Sequence, residues 1–210
     1  MQKFKIFLIF CFFLGSSLFS QEIDYKVSSI LSVSTDLYTR VRIVLNNYLV
    51  IENIKLFDSG TIEFPSYNSK NDYTYDQIIF VDLNLEKYIL DMIKLNSEEK
   101  SIFNAKNVIY EIKKIHYIPN SKRLANVEIL LDNKIIMILG VMRGNKGEEW
   151  VSYPSIKVGN KYYKTIYFLD KNLKSKIEKD IILEFKKNQK ISEREKIFRK
   201  RKDIQSNVKI

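Results

Sequence analysis

Residues 41–58, VRIVLNNYLVIENIKLFD, return 86 positions later as VEILLDNKIIMILGVMRG. The echo continues downstream. Pro65-Ser66 recurs as Pro154-Ser155, and Tyr75 recurs as Tyr163. The run Ile78, Phe80, Asp82, Asn84, Leu85, Ile89 recurs as Ile166, Phe168, Asp170, Asn172, Leu173, Ile177. Upstream, Tyr25 and Ile30 match Tyr110 and Ile115 at an offset of 85. A correspondence sustained over this length marks an internal duplication. Two copies are too few for a solenoid, which leaves tandem domains or a dimer fused into one chain.

Each copy reads as strands followed by one helix. In the first, Ile23–Val27 and Val41–Leu45 alternate apolar and polar residues; in the second, Val108–Ile118 and Val127–Leu131 take those places. Asn46-Asn47 and Asp132-Asn133 sit between apolar runs, as hairpin turns do. Ile135–Val141 is almost wholly apolar, which predicts a central strand covered on both faces. Two more strands are expected around Trp150–Tyr153 and Tyr162–Leu169. Helices follow, striped by Leu85, Tyr88, Ile89, Met92 and Ile93 in one copy and by Leu173, Ile177, Ile181 and Phe185 in the other. Asp170 or Asn172 is placed to cap the second helix, and Lys186-Lys187 suit its negative C-terminal end. The expected fold is α+β: two repeats, 21–95 and 108–187, each an antiparallel sheet followed by a C-terminal helix, joined by a linker at 96–107. Copies this small lie near the lower limit for folding alone, so a shared interface is expected. Residues 188–210 form a basic tail, read as an exposed helix or a disordered end.

The first 20 residues read as a signal peptide. Lys3 and Lys5 precede an apolar run from Ile6 to Leu14, and Gly15, Ser16, Ser17 and Ser20 lead to a cleavage point before Gln21. The run is short against the about 20 residues a spanning helix needs, with an uncleaved anchor as the alternative. Cleavage removes Cys11, the sole cysteine, leaving no disulfide, thiolate nucleophile or sulfur ligand. An exported protein, periplasmic or secreted, is expected.

The formal net charge of +10 is unevenly distributed. Residues 21–185 hold 23 basic and 22 acidic side chains, whereas residues 186–210 hold ten basic and three acidic ones. The duplicated body is therefore nearly neutral, and a general basic nucleic-acid-binding surface does not follow from the total. The candidate basic contact comprises Arg194, Lys196, Arg199, Lys200, Arg201 and Lys202 in the tail, with Arg143, Lys146 and Lys157 in the second copy. Such a run suits anionic lipid, acidic envelope polymers or phosphate backbones, and equally a solvated end.

Trp150, Tyr162 and Tyr163, with Tyr153 and Tyr167 nearby, form a candidate stacking platform for single-stranded nucleic acid. Ordinary sheet packing is the favoured reading of the same residues, because aromatic side chains prefer strands. No catalytic residues are expected. His116 is the sole histidine and aligns with Leu31; Glu148-Glu149 are neighbours that a strand sends to opposite faces; Ser155 lacks a companion base. No metal ligands and no cofactor are expected.

From Val127 to Lys187 the second copy resembles the SpoVG family of small bacterial septation and regulatory proteins. The resemblance rests on NVEILLDNKIIMILGVMRGNKGEEWVSYPSIK and KYYKTIYFLDKNLKSKIEKDIILEF, with Gly147, Pro154, Ser155, Asn172 and Ile177 at the expected places. The first copy matches more faintly through Leu45, Asn47, Gly60, Pro65, Ser66, Asn84 and Ile89. The resemblance implies a small α+β fold, homodimers, no catalysis, and nucleic-acid binding in characterised members. Two features depart from it: the export signal, and a basic cluster after Pro-Ser reduced to Lys157 and Lys70. A tandem duplication in a dimer-forming family implies an intramolecular pseudo-dimer. The functional expectation is an exported, non-enzymatic binding or structural protein of the cell envelope, septation-related through the resemblance. Its partner is an unknown envelope component or an anionic polymer or lipid. The alternative is a nucleic-acid-binding regulator.

Overall fold

The computed structural model describes residues 24–68, 74–101 and 105–207, with side chains except at 68 and 190–207. The signal segment lies outside the described residues. The first half runs β1 (Val27–Ser34), β2 (Thr39–Leu45), β3 (Leu49–Leu56), β4 (Ile62–Glu63), β5 (Ser66–Asn68), β6 (Thr74–Asp76), β7 (Ile78–Phe80) and α1 (Leu83–Leu95). A 3-10 turn at Ala105–Asn107 precedes the second half. This runs β8 (Tyr110–Tyr117), β9 (Arg123–Leu131), β10 (Ile135–Arg143), β11 (Glu149–Ser152), β12 (Ser155–Val158), β13 (Lys161–Lys164), β14 (Ile166–Phe168) and α2 (Lys171–Asn207). The class is mixed α+β with antiparallel sheets, as expected from the sequence.

Two five-stranded sheets carry the fold, and each borrows a strand from the other half. In the first, β1, β2 and β3 lie in order, and the free edge of β3 takes β4 and β14. In the second, β8, β9 and β10 lie in order, and the free edge of β10 takes β11 and β7. The registers correspond. Ile166, Tyr167 and Phe168 lie opposite Ile51, Val50 and Leu49, while Ile78, Ile79 and Phe80 lie opposite Met137, Ile136 and Ile135. The flanking backbone bonds repeat the pattern: Leu169 N–H donates to Tyr48 O (2.7 Å), as Val81 N–H does to Lys134 O (2.7 Å). Glu52 N–H donates to Thr165 O (2.6 Å), and Ile138 N–H to Gln77 O (3.1 Å). Thr165 and Gln77, at matching places in the two halves, meet side chain to side chain at 3.2 Å.

The local chemistry explains the elements. Asn46, Asn47, Asp132 and Asn133 all have positive φ (49°, 58°, 48°, 57°), the requirement of a type I′ turn. Asn and Asp tolerate that region because their short side chains bond locally. Asn46 Oδ1 accepts the Lys26 N–H (2.7 Å), and Asp132 Oδ1 accepts the Ile109 N–H (2.8 Å). Asp82 caps α1 by accepting from the Asn84 and Leu85 amides, and Asp170 accepts from the Leu173 amide (2.7 Å). Asp170, not Asn172, is thus the second cap, because Asn172 already lies inside the helix. The apolar stripes are buried as expected at Leu85, Ile89, Met92, Ile93, and at Leu173, Ile177, Ile181, Phe185, whereas Tyr88 is only half-buried and its hydroxyl accepts the Val27 N–H (3.2 Å). Buried residues of both halves form one apolar cluster.

Several expectations require correction. The upstream match of Tyr25 to Tyr110 is not the structural one. Strand pairing sets Val27 opposite Leu45 and Tyr110 opposite Leu131, so Tyr110 takes the place of Val27. Strand β10 is central, but Ile136 and Ile138 on its outer face are only half-buried. The expected strand Tyr162–Leu169 is broken at Thr165, whose N–H bonds to Pro154 O (2.8 Å) as the chain turns from hairpin β12–β13 into the other sheet. Lys186-Lys187 do not end a helix, since α2 continues to Asn207. The tail is therefore helical along its backbone over the described residues.

Candidate functional site

At one end of the second sheet, the β8–β9 turn, the β10–β11 loop and Gln189 of α2 enclose an open cleft of about 700 Å³. Pro119 and Asn120, the latter at φ 53°, turn the chain there. The two segments are tied by the Arg143 N–H donating to Lys122 O (2.8 Å). Lys122 and Arg143 line the cleft beside Tyr117, Asn120, Asn145 and Gln189, and no carboxylate is among the lining residues. Burial raises the Tyr117 phenol above its ordinary value, with nearby Glu184 adding to it. Its ring packs on Phe185 (5.4 Å between centroids), which holds α2 against β8.

The loop after Arg143 is closed on itself. Gly144 N–H donates to Glu148 O (2.7 Å), and the Glu148 carboxylate accepts the Lys146 N–H (3.0 Å). A Cβ at Gly144 would lie 2.1 Å from that carboxylate, so glycine is what lets Glu148 fold back. Gly147 adopts φ 85°, a region open to glycine. The loop amides thus serve the protein's own carboxylate, and Lys146 projects into solvent beside the cleft.

Of the residues singled out from sequence, Arg143 lines the cleft and Lys146 follows it by three positions. The helix carrying Arg194, Lys196, Arg199, Lys200, Arg201 and Lys202 continues α2 beyond Gln189, reaching Arg194 about a turn and a half later. The side chains of those six lie outside the described residues. Lys157 is elsewhere, on hairpin β12–β13 opposite Tyr162.

The aromatic group is dispersed. Tyr153 is buried (7 % exposed) and packs edge-on against Phe168, and Tyr167 donates to Glu52 Oε1 (2.7 Å). Trp150 stands on β11, whereas Tyr162 and Tyr163 are on the separate hairpin. Tyr162 and Tyr163 are exposed (72 % and 51 %) but are strand neighbours, so they face opposite sides and form no single plane. His116 Nε2 lies 2.7 Å from Glu128 Oε1, and its partner Asn126 places it opposite the site of Val33 rather than of Leu31. Among the described residues no group of three or more His, Cys, Asp or Glu is placed to hold a metal ion.

Sequence reasoning passed over Lys122 and Arg123. The signal was present in Pro119-Asn120-Ser121-Lys122-Arg123, a turn ending in two cations. It also passed over the seam between the halves. There Tyr25 Oη lies 2.5 Å from Tyr48 Oη and donates to Asp132 Oδ2 (2.6 Å). Burial raises both phenols well above their ordinary value and raises the Asp132 carboxyl as well.

Compared with known protein families, with curated proteins and with solved structures, the chain matches none. No helix among the described residues is long and apolar enough to cross a membrane.

Proposed function

We propose that the protein is an exported, non-enzymatic, SpoVG-like module of the cell envelope, a dimer fused into one chain, that binds an anionic polymer at the basic end of its second half. The observation that carries the reading is the cleft lined by Lys122 and Arg143 with no carboxylate among its lining residues, bordered by the helix that leads into the basic tail. Paired cations raise the local concentration of polyanions and bind them by counterion release, and the nearby Glu148 carboxylate is turned onto the amides of its own loop. The fused-dimer reading is supported by the reciprocal strand exchange, because an isologous contact uses each surface twice. The exchange makes each sheet depend on the other half, which gives the cationic end a rigid base.

The test is binding of the mature chain to a poly(glycerol phosphate) across a salt series, beside the double variant Lys122→Glu/Arg143→Glu. Affinity should fall steadily with salt, and the variant should bind at least tenfold more weakly. Unchanged binding by the variant, or affinity indifferent to salt, removes the cleft from the reading. Exposed Tyr162 opposite Lys157 favours a second reading, a nucleic-acid-binding regulator. Mass spectrometry of the native N-terminus separates the two: a start near Gln21 outside the cytoplasm supports the envelope role, and an intact Met1 in the cytoplasm the regulator.

A further inference from the structure

We infer that the outer face of the second sheet is a carbohydrate-binding surface, engaging a sugar residue through its hydroxyl groups and its flat C–H face. This surface is distinct from the cationic cleft and does not rest on the polyanion reading.

Strand pairing builds the surface row by row. His116, Asn126, Gly140 and Ser152 lie side by side across β8, β9, β10 and β11. In the next row Met142 is flanked by Arg123 and Trp150. Side chains of paired residues share a face, so Trp150, Ser152, Arg123 and Asn126 all project outward, while Val141 and Val151 enter the core. Trp150 is 47 % exposed on this face.

Two atoms in this surface are buried without a hydrogen-bond partner: Arg123 Nε, a donor, and Asn126 Oδ1, an acceptor. Gly140 leaves room for the guanidinium to lie across β10, since a Cβ there would be 2.8 Å from Arg123 Cζ and 2.5 Å from Ser152 Oγ. No ion pair engages Arg123 among the described residues; of the carboxylates on this face, Glu128 is taken by His116 at 2.7 Å and Glu111 by Lys113 at 3.2 Å. Burial depresses the guanidinium's pKa.

A buried donor and a buried acceptor left unpaired cost stability, and their persistence together marks a place for a group that does both. A hydroxyl accepts from an N–H and donates to a carbonyl oxygen at once. Sugars present such hydroxyls around a ring whose C–H face is apolar, and an exposed indole on the far side of β10 from the polar pair offers the matching flat surface. A bare carboxylate or phosphate would suit Arg123 but leave Asn126 Oδ1 facing another acceptor.

Trp150 is the only tryptophan in the chain, so its emission reports this surface alone. The mature chain is titrated with two β-1,4-linked probes, tetra-N-acetylchitotetraose and cellotetraose. The expected result is a saturable shift in emission with at least one of them. Arg123→Leu, Asn126→Leu and Gly140→Ala should each weaken it about tenfold, one hydrogen bond's worth, while circular dichroism stays native. Should Arg123→Leu fail to fold, Gly140→Ala and calorimetry on Trp150→Phe decide the matter. The inference is overturned if neither oligosaccharide alters the emission, if the shift survives the folded variants undiminished, or if inorganic phosphate alone reproduces it.

Discussion

Phe168 belongs by sequence to the second half and by space to the first sheet, which makes Phe168→Ala a test of how the halves are joined. The ring is 4 % exposed, stacks on Tyr48 at 6.3 Å and meets Tyr153 edge-on at 6.2 Å. Its backbone continues β14 along β3, opposite Leu49. Truncating such a ring costs about 3–5 kcal/mol, the sum of lost transfer energy and a cavity the surroundings fill only in part. With a urea dependence near the upper end for small domains, about 3 kcal/mol per molar, the midpoint should fall by about 1–2 M. The assay follows urea unfolding with two probes, far-ultraviolet circular dichroism for the whole chain and tryptophan emission for β11. Trp150 lies on β11 of the second sheet, whereas the mutated position pairs with β3 of the first. If strand exchange makes the two sheets one cooperative unit, both probes shift together by the full amount. The milder Phe168→Leu should shift both by about a third as much, which covers the case in which the alanine variant does not fold. A tryptophan transition that stays at its wild-type midpoint while circular dichroism splits into two steps would refute the coupling.

Asp82→Ala should destabilise by about 1 kcal/mol through loss of the α1 cap. Backbone bonds from Leu85, then Asn84, and the contact with Lys134 hold this carboxyl below its ordinary 3.8, so its contribution is present above that value and is lost as pH falls through the lowered folded value. Urea titrations at pH 7 and in acid should therefore show the variant's deficit shrinking in acid; a constant deficit refutes the cap assignment. Asp132 carries the opposite sign. Burial raises its carboxyl in the folded state, so its favourable contribution is full below 3.8 and is lost as pH rises through the folded value. Asp132→Asn should keep the turn, as Asn46 does in the first half, and should flatten that part of the pH profile; a profile unchanged by the substitution counts against the buried seam.

Local features were legible because they depend on near neighbours. The paired Asn and Asp turns, the aspartate caps and the four-residue apolar stripes are each decided by chemistry within a turn of chain. The site was half legible. Arg143 was visible as a cation in a glycine loop, but the cleft exists only because the β8–β9 turn and α2 converge on that loop. Trp150, Tyr162 and Tyr163 looked like one group because they are close in sequence. The chain leaves β11 for the separate hairpin β12–β13, which takes Tyr162 and Tyr163 out of the sheet that holds Trp150.

The sequence by itself determined the mixed α+β class, the apolar stripes of the two helices, and the concentration of charge at the C-terminal end. Periodicity and composition carry those facts without reference to contacts. Only the tertiary structure decided which strand joins which sheet. Ile78–Phe80 and Ile166–Phe168 are short apolar strands that would fit the free edge of either sheet by pattern alone. The hairpins that precede them carry each strand across to the other half, and Gln77 and Thr165 meet where the two crossings pass. Arg123 and Asn126 on β9 and Ser152 on β11 likewise come from two strands separated by β10, and only the strand pairing sets them on one face.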